Sequence, residues 1–248
     1  MAAIELDKVT WPEVRAEIEG GRDTVVLAFG ATEQHGPHMP LATDSLLGDR
    51  LAHDLADRLD AFVAPTVRVG CSAHHVGFAG TMSVGDETFH ALVGDLVRSL
   101  AAGGFRRIVL VPTHGGNFAP LAAALEKLGE VEGVRVDALT DLSVLFQIAI
   151  LGQDEHGVPL NEGGLHAGEW ETSLMLALHP DLVKMDRAEA GFTGDPQEAV
   201  GTLFRDEGVA ALAANGVLGD PAQASAEHGR RYWDRAVELA LESLGDRG

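Results

Sequence analysis

Two short apolar runs, Val25-Val26-Leu27-Ala28-Phe29 and Ile108-Val109-Leu110-Val111, constrain this chain more than any other feature. Both are rich in β-branched residues, bounded by turn residues and too short for a helix, so each reads as a strand buried on both faces. A polar, glycine-containing loop follows each run, and then an amphipathic helix. Leu47, Leu51, Leu55 and Leu59 recur every four residues, which is one face of a helix. Phe89, Leu92, Val93, Leu96, Val97 and Leu100 form another such face, with Asp86 as its cap and Gly103-Gly104 as its stop. Strands alternating with helices at this spacing imply βαβ units, hence a three-layer α/β/α fold around a central, mainly parallel sheet.

The remaining elements fill in that plan. Thr10-Trp11-Pro12-Glu13 has capping-box spacing with proline in the first turn, predicting a short helix to about Gly20. Phe62 to Val69 is a second strand interrupted by Pro65, Val134 to Leu139 is a further strand, and an Ala/Leu-rich helix follows Asn117. Gly152 to Gly168 is rich in glycine and acids and reads as a loop or lid. Glu169 to His179 reads as helical, and Asp181 to Gly219 is mixed. Asp220-Pro221 is expected to open a long C-terminal helix that buries Trp233, Ala236, Val237, Ala240, Leu241 and Leu244. With 248 residues, 46% of them apolar, a single domain over 1–248 is expected.

Charge and cysteine usage narrow the partners. The balance of 38 acidic against 18 basic residues gives −20, which argues against a nucleic-acid backbone or an anionic membrane. The single cysteine, Cys71, cannot close an internal disulfide, and no signal-like segment or long apolar run is visible. A cytoplasmic protein without a membrane span is expected.

In open α/β sheets, ligands collect at the carboxyl ends of the strands. Glu33 and His35 follow the first strand, His74 and His75 the second, and His114 the third. Residues two apart in an extended segment point the same way, so Glu33 and His35 are expected to face one cavity with Gln34 turned aside. Asp44 returns near the start of its helix, and its two oxygens can bridge two ions about 3.5–4 Å apart. Carboxylate and imidazole together suit Zn²⁺, Mn²⁺ or Fe²⁺. The plainer alternatives stay open at this point: Asp44 as an N-cap, Glu33 and His35 as polar loop groups, and His114-Gly115-Gly116-Asn117 as an ordinary turn. If the cluster Leu165 to Ser173 opens a helix, His166 and Glu169 lie three apart and Glu171 further around, so not all three need face one site. The plainer alternative is a surface loop with an acidic first helical turn, favoured by the helix dipole. Cys71 reads as an inert buried thiol, and His53, His90, His179 and His228 as structural or solvated groups.

Four of these motifs, in order, are similar to those of the creatininase (creatinine amidohydrolase) family. They are Gly30 to His38 with Asp44, Gly70 to Thr81, His114 to Asn117, and His166-Ala167-Gly168 with Glu171-Thr172-Ser173. The resemblance implies a metal-dependent amidohydrolase with two divalent ions per chain, commonly a homohexamer. It implies Glu33 and His114 on one ion, His35 on the other and Asp44 between them. Ser72, His75, Gly115 and Gly116 are expected on the substrate side, and His166 is expected to protonate the leaving nitrogen. In creatininase itself a Glu stands two residues after the His114 equivalent, whereas this chain has Gly116, which counts against creatinine as substrate. Gly116 is shared by peptidase and formamide-cleaving branches of the family, and Gly216 to Pro221 is similar to the peptidase branch. Glu171, or second in order Glu169, is expected to supply the missing oxygen. The activity expected is hydrolysis of a cyclic amide (lactam) or formamide through a dinuclear-metal-activated water. The alternatives are a short-peptide hydrolase on the same centre and a noncatalytic metal- or ligand-binding module.

Overall fold

The computed structural model describes residues 2–204 and 208–245. Five strands form one parallel sheet: β1 (Ile4–Glu5), β2 (Thr24–Phe29), β3 (Phe62–Val67), β4 (Arg107–Pro112) and β5 (Arg135–Ala138), in the order β1-β3-β2-β4-β5. Alternate side chains of the central strand go to opposite layers, as the pleat requires. Val25, Leu27 and Phe29 pack with Phe62, Phe89, Val93, Ile108, Leu110 and Leu121 on one side. Val26 and Ala28 pack with Leu47, Leu51, Leu55, Val109, Val111 and Tyr232 on the other. The expected three-layer arrangement is therefore the observed one.

One layer holds α1 (Trp11–Glu19), α3 (Asp86–Gly103) and α4 (Phe118–Leu128). The other holds α2 (Thr43–Leu59), α5 (Ser143–His156), α7 (Glu169–Leu178) and α10 (Ala226–Ser243). Short helices α6 (Leu160–Gly163), α8 (Pro196–Phe204) and α9 (Val209–Leu212) lie in the connections. From β2 the chain moves through α2 to β3 on one side. From β4 it moves through α4 to β5 on the other, so the crevice of the sheet opens between the carboxyl ends of β2 and β4.

Several boundaries differ from the sequence reading, each for a local reason. Residues 143–156 are helical where periodicity fades, because α5 leaves Phe146 and Ile150 exposed while burying Ile148, Ala149 and Gly152. The expected loop from Gly152 to Gly168 thus begins inside α5 and contains α6. Asp220 accepts from Ala222 N–H and caps only a 3-10 turn, Pro221–Gln223. The long helix starts at Ala226, where Ser225 Oγ accepts from His228 N–H. Asp86 is the first residue of α3 rather than its cap, which is Gly85. The β2–β3 register shifts between Leu27 and Phe29, opposite exposed Pro65, where proline withholds a ladder donor. Strand β1, two residues long, gives no periodic signal.

Candidate metal centre

The loop after β2, the loop after β4, the start of α2 and the start of α7 converge at that crevice. Asp44, second residue of α2, sits between two imidazoles: its Oδ1 is 3.3 Å from His35 Nε2 and its Oδ2 is 3.4 Å from His114 Nδ1. Glu33 Oε1 is 3.2 Å from His114 Nδ1, 3.3 Å from His75 Nε2 and 3.8 Å from His166 Nδ1. Glu171 Oε1 is 3.9 Å from His35 Nε2, and its other oxygen accepts from Ala167 N–H. All these side chains are buried. Two donor sets share Asp44: Glu33 with His114, and His35 with Glu171.

This set fits divalent cations. Glu33 Oε1 and Oε2, His35 Nε2 and Asp44 Oδ2 are buried and form no hydrogen bond among the described residues, although buried polar atoms are ordinarily paired. Ligand atoms about 2.0–2.2 Å from a common four-coordinate ion stand roughly 3.3–3.6 Å apart, and the 3.3 and 3.4 Å contacts of Asp44 fall in that range.

The electrostatics carry the same imprint. Burial is the largest influence on Glu33 and pushes it up, but the charge and hydrogen bond of His114 together with the charge of His166 outweigh it, and the carboxyl ends below its usual value. Burial likewise opposes ionisation of Asp44, and His35 and His114 hold that carboxyl far down. Burial alone would lower the two histidines, yet the carboxylates raise His35 to about 9 and His114 well above its ordinary value. Glu171 is pushed up to about 7, chiefly by burial. Protons on His35 and His114 thus balance the carboxylates, and a bound cation must displace them. Folded pKa values above unfolded ones give stability that is present below pH 6.5 and lost as pH rises through 9. The metal-free protein is expected to lose Tm steadily from pH 6.5 to 9, while the manganese-loaded protein changes much less. A flat or rising Tm for the metal-free form over that window contradicts this assignment.

Other expected residues take distinct places. Glu169 points away from the centre: its carboxylate accepts from Ser173 Oγ (2.8 Å), His228 Nδ1 (2.8 Å) and Tyr232 OH (2.9 Å) between α7 and α10. Both of its oxygens are engaged by these three partners. Ser72 Oγ lies 3.4 Å from the outer nitrogen of His114, behind that ring. Gly115 is exposed, and a Cβ on Gly116 would collide with Cys71 O and His114 Nε2, so the backbone here has no room for a carboxylate at that position. Cys71 is buried, and desolvation with nearby Asp86 pushes its thiol up to about 12, consistent with an inert group.

Three residues escaped the sequence reading. Gln34 is not turned aside but buried, 2.8 Å from His75 Nδ1. His38 is buried with Nε2 2.9 Å from Thr172 Oγ1, beside Glu171 on α7. Asn117 accepts from Cys71 N–H and donates to Phe29 O and Gly30 O, tying together the ends of β2, β3 and β4. The signal available was a polar residue wedged among glycines directly after a strand.

A buried carboxylate–imidazole centre at the carboxyl edge of a parallel α/β sheet is the class of site that can hold divalent cations. The family model described as Creatininase: Creatinine amidohydrolase matches residues 7–244. A mycofactocin precursor peptide peptidase of Mycolicibacterium smegmatis is 36% identical over 228 residues, covering 89% of this chain and 83% of the relative. The creatinine amidohydrolase of Pseudomonas putida is 32% identical over 206 residues, 75% of each chain. A solved structure described as creatininase Mn superposes with a TM-score of 0.79 at 28% identity, covering 98% of this chain and 97% of that one. The chain belongs to the creatininase family, and these two relatives, a peptidase and a creatinine amidohydrolase, are hydrolases of C–N bonds.

Proposed function

We propose that this chain, acting as one domain over 1–248, hydrolyses the C–N bond of a small amide with two divalent ions, Zn, Mn or Fe. Glu33, Asp44 and His114 would hold one ion, and His35, Asp44 and Glu171 the other. The observation that carries this reading is the carboxylate of Asp44, with one oxygen turned to His35 and the other to His114. When bound, the ions would supply Lewis acidity toward water and the amide carbonyl. His166 is buried, with Nε2 2.6 Å from Gln34 O and Nδ1 3.8 Å from Glu33 Oε1, and would be the group that moves the proton. Its Nδ1 takes a proton from the attacking water and returns it to the leaving nitrogen. The backbone N–H groups of Gly115 and Gly116 would be donors to the developing oxyanion. Ser72 steadies His114 from behind.

Cyclic amides and formamides are the first substrate class and short peptides the second. The peptide reading is supported by 36% identity to a peptidase over 89% of the chain and by Gly116 in place of a carboxylate. We read the protein as a cytoplasmic homo-oligomer, a hexamer by family resemblance; no described helix is long and apolar enough to cross a membrane. An intact ligand set counts against a noncatalytic binding module. The test is elemental analysis of the purified protein, paired with turnover of creatinine, formamide and trialanine before and after chelation. Two ions per chain and activity abolished by chelator and restored by Mn²⁺ or Zn²⁺ are expected. Undiminished turnover in verified metal-free protein refutes the proposal, and binding without turnover across a wider amide panel favours the noncatalytic module.

A further inference from the structure

Three of the four imidazoles at the centre are held alike. His35 Nδ1–H donates to Glu33 O (3.2 Å), His114 Nε2–H to Cys71 O (3.1 Å) and His166 Nε2–H to Gln34 O (2.6 Å). A carbonyl oxygen only accepts, so the outer nitrogen of each ring keeps its proton, and the nitrogen facing the carboxylates is the one left to bind a cation or act as a base once its own proton is gone.

His75 is held in the opposite sense. Its outer Nδ1 lies 2.8 Å from Gln34 Nε2. The Gln34 amide cannot be turned round, because Gly36 N–H donates to its Oε1 at 3.0 Å and Gly216 O accepts from its Nε2 at 3.0 Å. An amide nitrogen only donates, so His75 Nδ1 accepts and the ring proton sits on Nε2. That N–H lies 3.3 Å from Glu33 Oε1, inside the ring of carboxylates. Glu33, His75 and His166 have donor atoms within 4.8 Å of one another, as metal ligands would, yet His75 offers a proton there rather than a lone pair. Gly216, at φ +82°, makes this possible, since a Cβ there would collide with Gln34 Oε1.

We propose that Gln34 is a positioning residue that keeps His75 in its Nε2–H form, and that this N–H holds the carbonyl oxygen of the amide substrate. The second half rests on the amidohydrolase reading above; the first does not. The experiment uses the full chain labelled with [15N]histidine, long-range 1H–15N spectra and His75→Asn for assignment. Wild-type His75 shows the neutral Nε2-protonated pattern. In Gln34→Glu the new carboxylate accepts from Nδ1, and the proton moves there. With creatinine, formamide or trialanine, whichever the wild type turns over, kcat falls about 10–100-fold. KM changes less than about threefold, as expected for a contact that strengthens in the transition state, and manganese content is unchanged.

An Nδ1–H pattern in the wild type, or a retained Nε2–H in Gln34→Glu, overturns the positioning role. A moved proton with unchanged kcat overturns the donor role of His75, and lost manganese overturns it in favour of ligand support. If Gln34→Glu does not fold, Gln34→Met removes the donor without adding charge. Both tautomers are then expected, and Nε2–H alone overturns the proposal. If the wild type turns over none of the three amides, the amidohydrolase reading fails for them, while the spectra still decide the part played by Gln34.

Discussion

Asp44→Ala is expected to release both ions, leaving well under one per chain, and to lower turnover by more than roughly 10²-fold. The magnitude follows from a comparison: removing a group that merely orients a metal ligand costs about 10–100-fold, and Asp44 faces both donor sets directly. Its Oδ1 meets His35 and its Oδ2 meets His114, so neither set stays complete. Elemental analysis beside circular dichroism checks this. A folded Asp44→Ala protein that keeps two ions refutes the shared-carboxylate arrangement. Asp44→Asn separates charge from shape, because an amide retains one oxygen but no longer compensates two cations.

The second large effect is a contrast between two glutamates two positions apart on one helix. Glu171→Gln is expected to lose the ion held with His35 while keeping the fold, because its carboxylate faces His35 at 3.9 Å. Glu169→Ala is expected to keep both ions yet cost about 3–5 kcal/mol of stability, the scale for unpairing a buried, hydrogen-bonded charge. It strands His228, Tyr232 and Ser173 between α7 and α10. Metal content and denaturant midpoint, measured on both variants, separate the roles. Two tightly bound ions and full activity in Glu171→Gln remove that residue from the centre.

The same pair shows how far the sequence was legible. Strand–helix alternation and the placement of Glu33, His35 and His114 after apolar runs were visible because they are local patterns with fixed periods. The preference for Glu171 over Glu169 came from the family resemblance and not from spacing, because it depends on where α10 packs against α7, and no spacing within residues 165–173 encodes that. Gln34 was misplaced for a related reason. Strand alternation turned it away from its neighbours, but the chain leaves the strand at Phe29 and Gly216 approaches from far along the sequence. Helix α5 was obscured because its outward face is apolar, which erases the amphipathic contrast. The departure at Gly116, by contrast, was plain in the sequence; the structure adds that the backbone there has no space for a side chain.

Asn117 has a consequence for assembly. Its amide reaches Gly30, 87 residues earlier, and receives Cys71 N–H, 46 residues earlier. These bonds close only when β2, β3 and β4 lie side by side, so no fragment shorter than the stretch from Gly30 to Asn117, about a third of the chain, can hold the ions. Long-range closure of this kind comes late in folding. Metal uptake is therefore a reporter of completed folding: a chain arrested before β4 joins the sheet would remain metal-free however much cation surrounds it.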